Sequence, residues 1–133
     1  MKIKVSELTD VQLSWAVAIA LEWKWKVDDG KIILARPTKI RNNKQAFDTL
    51  GLAHFHPTKS WSIAGPIIEH EGIGLDQYAD YPRWQAFTPA PEQQSGQAVC
   101  NGPTPLIAAM RCYVASKLGD DVEVPEELCP PTA

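Results

Sequence analysis

The sequence predicts an α/β protein of the α+β kind, in which two or three helices cover one small, mainly antiparallel sheet. Three observations carry this. The stretch from Gly102 to Gly119 has every mark of a bounded helix, the stretch from Thr9 to Leu21 has a second set, and between Leu21 and Leu34 the apolar period changes from helical to alternating. At 133 residues the chain is expected to form a single domain, residues 1–133, long enough to bury a core without disulfides or metal. About residues 126–133 are expected to form a surface tail.

The helix near the C-terminus is the best defined. Thr104 is suited to the N-cap, Pro105 to the first helical position, and Gly119 to a left-handed closing residue. Leu106, Ile107, Met110, Val114 and Leu118 recur at helical spacing as one apolar stripe, expected to lie on a sheet. The remaining face is small and apolar, with Ala108, Ala109, Cys112 and Ala115.

At the other end, residues 3 to 5 are expected as a short edge strand or a lead-in. Thr9 then opens a helix with Gln12 placed for a capping box and Leu8 facing Leu13 as a hydrophobic staple. Leu13, Ala16, Val17, Ala20 and Leu21 continue its buried side, and Trp15, off the centre of that side, is expected to pack on a neighbouring strand. Trp23, Trp25 and Val27 alternate with lysines, Asp28-Asp29-Gly30 supplies a turn, and Ile32 with Leu34 resumes beyond it, a β-hairpin pattern. Arg36-Pro37 is expected to end that hairpin. Lys39, Arg41 and Lys44 then form a basic cluster around Asn42-Asn43, read as a solvated loop with anion contact as the functional alternative.

Further on, Ala46, Phe47 and Leu50 suggest a short helical turn closed by Gly51, followed by an extended stretch in which His54 and His56 share one face. Ser60 or Ser62 caps a second helix toward Glu71, with Pro66 either kinking it or marking a later start. Ile73, Leu75 and Gln77-Tyr78 are one expected strand, Asp80-Tyr81-Pro82 a turn, and Arg83 to Phe87 the next strand, with Trp84 and Ala86 on one face. Glu92 to Gly96 is a polar loop, and Gln97 to Cys100 is a third strand or the end of that loop.

Composition narrows the function classes. A net charge of −3 gives no reason to expect generic nucleic-acid or membrane attraction. Neither a signal peptide nor a membrane-spanning run is evident, and Cys100, Cys112 and Cys129, odd in number and without metal spacing, suit reduced thiols; the expected location is the cytoplasm. No phosphate loop, zinc spacing, nucleophile elbow or fixed carboxylate pair is present. No cofactor, metal ligand or catalytic residue is therefore assigned, and an enzyme is the weaker class.

The string from Gly102 to Gly119, with Gly65-Pro66-Ile67-Ile68-Glu69, Trp84-x-Ala86 and the opening Met1 to Thr9, resembles the NinX family of lambdoid phages and prophages. The resemblance implies a small phage accessory protein; the longer version of the Pro66 helix and an α-β-α layering are also implied by it rather than by local rules.

Among single residues Arg111 stands out. It borders the apolar stripe beside Leu118, which buries its stem and leaves its guanidinium at an edge. It is expected either to pair with Glu69 or Glu71, or to serve as a planar fork for phosphate or carboxylate backed by Trp84 or Tyr113. The candidate ligand-binding set is Arg111, Trp84, Tyr113, Glu69 and Trp61. Three functions follow: a counter-defence binder of a small anionic or nucleotide-like molecule, expected as a homo-oligomer; an adaptor for a host protein with tryptophans at its interface; and a small hydrolase using His54, His56, His70 and nearby carboxylates.

Overall fold

A computed structural model describes residues 1–77, 83–89 and 98–129. Among these, three α-helices and three small antiparallel sheets form an α+β fold. Helix α1 spans Asp10–Ala20, α2 Trp61–Glu71 and α3 Pro105–Leu118. Strand β1 (Lys2–Lys4) pairs with β8 (Asp121–Glu123), closing the two ends of the chain on each other. The second sheet is β2 (Lys24–Asp28), β3 (Lys31–Arg41) and β4 (Lys44–Gly51) in that order, and the third is β5 (Gly74–Gln77), β6 (Trp84–Phe87) and β7 (Val99–Gly102).

Local signals set the helix boundaries. Thr9 and Gln12 form the capping box reciprocally: the Gln12 amide donates to Thr9 Oγ1 (3.3 Å) and the Thr9 amide to Gln12 Oε1 (2.9 Å). Thr104 accepts from the Ile107 amide at 3.2 Å and caps α3. The chain leaves α3 at Gly119 with φ 91° and ψ −177°, not the left-handed helical closure expected, but a backbone region that also belongs to glycine. In α2 the longer version is realised, with Pro66 inside the helix on its exposed side and Gly72 closing it at φ 66°.

The layering differs from an α-β-α order, because α1 and α3 pack directly on each other. The small side of α3 meets the β5–β6–β7 sheet. Cys112 Sγ donates to the Ala98 carbonyl at 3.3 Å, and Gly102 of β7 lies so close to Ala108 that a β-carbon there would stand 2.7 Å from the Ala108 nitrogen. Met110, roughly half a turn away on the helix, is fully buried toward α1. Tyr113, one turn on, supports that orientation, its Oη donating to the Ala20 carbonyl at 3.3 Å, while Ile107 sits at the border, its Cγ2 3.1 Å from where a Gly102 β-carbon would stand and its side chain lining a small cleft with Leu13. On its far side α1 meets the second sheet through Trp15, which is 4% exposed and sits edge-to-face on Trp25 with ring centroids 5.7 Å apart.

Three local expectations are corrected. The hairpin does not end at Arg36-Pro37. Strand β3 runs on to Arg41 with a bulge between Pro37 and Ile40, and Asn42 and Asn43, at φ 51° and 62°, make a tight two-residue turn instead of a loop. Proline is tolerated because β2 pairs with β3 only as far as Ala35, so beyond that point one edge of β3 needs no ladder donor. Residues 46 to 50 belong to β4 rather than to a helical turn, and a 3₁₀ turn, Leu52–His54, replaces the extended stretch. The tail is docked at its start: Gln12 Nε2 donates to the Leu128 carbonyl at 2.9 Å, and Leu128 and Cys129 pack against the core. The expected turn at 80–82 and loop at 92–96 lie outside the described residues.

Candidate functional site

Arg111 projects from the border of α3 between its two packed sides. Nη1 donates to the Asn101 carbonyl at 2.9 Å, which ties one arm of the guanidinium to β7. Nε is buried and has no hydrogen-bond partner among the described residues. Neither expected carboxylate reaches it. Glu71 Oε2 pairs instead with Lys117 at 3.3 Å and its Oε1 with His70 at 3.3 Å, while Glu69 is exposed. Among the described residues Arg111 forms no ion pair.

The guanidinium separates two clefts. One, about 610 Å³, lies between β7 and the β1 segment and is lined by Lys4, Ser6, Cys100, Asn101, Asp120 and Asp121. The other, about 230 Å³, lies against the start of α3 with Leu13, Thr58, Lys59, Thr104 and Ile107. In the second, Asp10 is occupied by Thr58 and by Lys59 at 3.3 Å. The first cleft therefore carries two basic groups, Lys4 and Arg111, and two acidic ones, Asp120 and Asp121, with Lys4 and Asp121 opposite each other across β1 and β8.

The other proposed ligand residues lie elsewhere. Tyr113 is two residues from Arg111, which on a helix turns it well away. It is buried at the base of a separate cleft of about 600 Å³ with Ile67, Glu71 and Lys117. Burial first, then the Glu71 and Glu22 carboxylates, raises its hydroxyl pKa above the ordinary value. Trp84 is half-buried, opposite Gly102 in the register, and packs against the core. Trp61, 55% exposed, is the first residue of α2. The three histidines line three different clefts: His54 joins Trp23, Phe55 and Arg36, His56 joins Ser14 and Lys59, and His70 joins Tyr113. What the sequence reading missed was the Lys4, Asn101, Asp120 and Asp121 surround of Arg111. No spacing signals it, since β1 and β8 are brought there only by pairing the chain ends.

Cys100 and Cys112 lie between β7 and α3. Burial, with the neighbouring Cys100 second, pushes the Cys112 thiol up to about 12 from an ordinary 9.0. The folded state thus holds a proton that the unfolded chain releases. This contribution to stability is complete below pH 9.0 and is lost as pH rises from there toward about 12. Urea midpoints of the wild type are expected to fall as pH passes 9.0, and Cys112→Ala to fall less steeply.

Fold and clefts together define a small α+β protein with an arginine fork set between two surface clefts. The chain belongs to the bacteriophage P22 NinX family, whose model matches residues 4–117. That membership marks it as a phage accessory protein. No curated protein compared with the chain matches it. Among the described residues, no helix is long and apolar enough to cross a membrane.

Proposed function

We propose that this phage accessory protein is a non-enzymatic binder that sequesters a small anionic, nucleotide-like molecule in the cleft between β7 and β1, a role suited to blunting a host defence signal. The observation that carries the reading is the half-used guanidinium of Arg111. Asn101 holds Nη1 in place, and among the described residues no carboxylate pairs with the guanidinium, so its charge is left for a ligand oxygen in the cleft. A fork already oriented by the backbone suits bidentate phosphate. Lys4 adds a second positive charge, and Asp120 and Asp121 offer acceptors for sugar hydroxyls or exocyclic amines, which favours a nucleotide over inorganic phosphate.

Calorimetric titration with a panel of linear and cyclic nucleotides tests this. Binding is expected for at least one of them, to be lost in Arg111→Ala and not restored by Arg111→Lys, because an ammonium cannot reproduce the planar fork. Equal binding by wild type and Arg111→Ala would remove the site. The reading also takes the protein as a homo-oligomer, which light scattering with and without nucleotide checks. A second reading, an adaptor for a host protein, rests on the exposed Trp61 ring; it predicts a partner whose capture is lost in Trp61→Ala and kept in Arg111→Ala.

A further inference from the structure

We infer that the β3–β4 ribbon is a docking arm for double-stranded DNA. Every residue from Arg36 to Thr49 is exposed, so neither face of the distal ribbon serves the core. Between Arg36 and Phe47 the ribbon carries Arg36, Lys39, Arg41 and Lys44 and no acidic residue. Its nearest carboxylate, Asp48, is taken up by Arg36 at 3.0 Å. The net charge of −3 is an average over a basic arm and an acidic remainder, and a nucleic acid meets the local field rather than the average.

The shape fits a groove. Two strands lie about 4.8 Å apart, and such a ribbon enters the roughly 12 Å wide major groove of B-form DNA. The two-residue turn at Asn42-Asn43 keeps the tip as narrow as the ribbon itself. From Arg36 to Arg41 the arm extends about 17 Å at the usual rise per residue, which lets cations on both strands reach both phosphate walls. The bulge between Pro37 and Ile40 adds twist, as following a groove requires.

The apolar residues of the arm are placed to meet base edges. By register, Lys24, Phe47 and Ile40 share the outer face, opposite the face that buries Leu34. Lys24 Nζ stands 5.4 Å over the Phe47 ring, and Ile40, 71% exposed, lies two residues before the turn. An acidic protein would also be drawn to the cations. A stable protein interface, however, needs an apolar centre within about 800 Å² per partner, and the outer face of the arm offers Pro37, Ile40 and Phe47 among its charges, too little for such a centre. DNA is the better match.

Fluorescence anisotropy of the full chain with a labelled B-form duplex of about 20 base pairs tests the arm. Three phosphate contacts, from Lys39, Arg41 and Lys44, predict affinity falling about fortyfold between about 50 and 200 mM salt. Arg41→Gln/Lys44→Gln, in the exposed turn, is expected to weaken binding at least about tenfold at the low-salt end and to flatten the log–log salt slope by about two. Ile40→Ala, which changes no charge and keeps the test valid should the double variant misfold, is expected to weaken binding with the slope unchanged. Lys2→Gln, an exposed cation outside the arm, leaves both unchanged. The inference is overturned by no binding at low salt, by equal losses from Lys2→Gln, or by equal affinity for an A-form RNA duplex, whose narrow major groove excludes a ribbon. Capture of an acidic protein without DNA binding overturns it as well.

Discussion

Gly102→Val is expected to lower the unfolding free energy by about 3 kcal/mol, at the upper end for overpacking, seen as a fall in the urea midpoint at unchanged slope. The reason is what a side chain would strike. A β-carbon at Gly102 stands 2.7 Å from the Ala108 nitrogen and 3.1 Å from its α-carbon, both backbone atoms of α3. Backbone in the capped first turn of a buried helix cannot swing aside, so that end of the helix must lift from the sheet. Gly74 is the internal comparison. A β-carbon there meets only the Phe87 ring, the far end of a half-buried side chain that has somewhere to go. Gly74→Ala is accordingly expected to cost less than Gly102→Val, and the reverse order would show that β7 does not hold α3 as closely as described.

Met110→Ala is expected to cost about 3 kcal/mol, near the middle of the range for emptying a fully buried site. Met110 is 0% exposed and lies one turn before Tyr113, on the side of α3 from which Tyr113 bonds α1. At about 3–4 °C per kcal/mol for a chain of this size, the loss appears as a fall of about 10 °C in Tm. Leu118→Ala, at the half-exposed end of the same stripe, is expected to cost much less. An equally small loss at the two positions would mean that the stripe is uniformly exposed and that α1 does not cover its centre.

How legible a segment was depended on whether its determinants are local. The capping box at Thr9 and Gln12, the Thr104-Pro105 start of α3 and the Asp29-Gly30 turn each satisfy a need of the backbone within a few residues, and all appear where the sequence places them. Residues 36 to 51 did not read correctly, for a physical reason. A ribbon with both faces exposed has no alternation of apolar and polar residues, and Ala46, Phe47 and Leu50 fell by chance at helical spacing. The family resemblance decided the Pro66 helix, where local rules alone favoured a shorter element. For the candidate site, Arg111 was legible from its place at the edge of a stripe, but its partners were not: the carboxylates proposed for it pair with Lys117 and His70 or stay exposed, while Asn101 holds it through a backbone carbonyl that no residue type announces.

By itself the sequence determined α1 and α3, the caps at their N-termini and most of their buried residues, because hydrogen-bond satisfaction at helix ends and the removal of apolar surface from water follow from the order of residues along the chain. Which side of α3 meets the sheet and which meets α1 was decided only by the tertiary structure. Gly102 and the alanines allow backbone to approach backbone on one side, and the bulky Met110 side needs the wider space between two helices. The surroundings of Arg111 belong to the same class of fact, since they exist only once β1 and β8 bring the two ends of the chain beside β7.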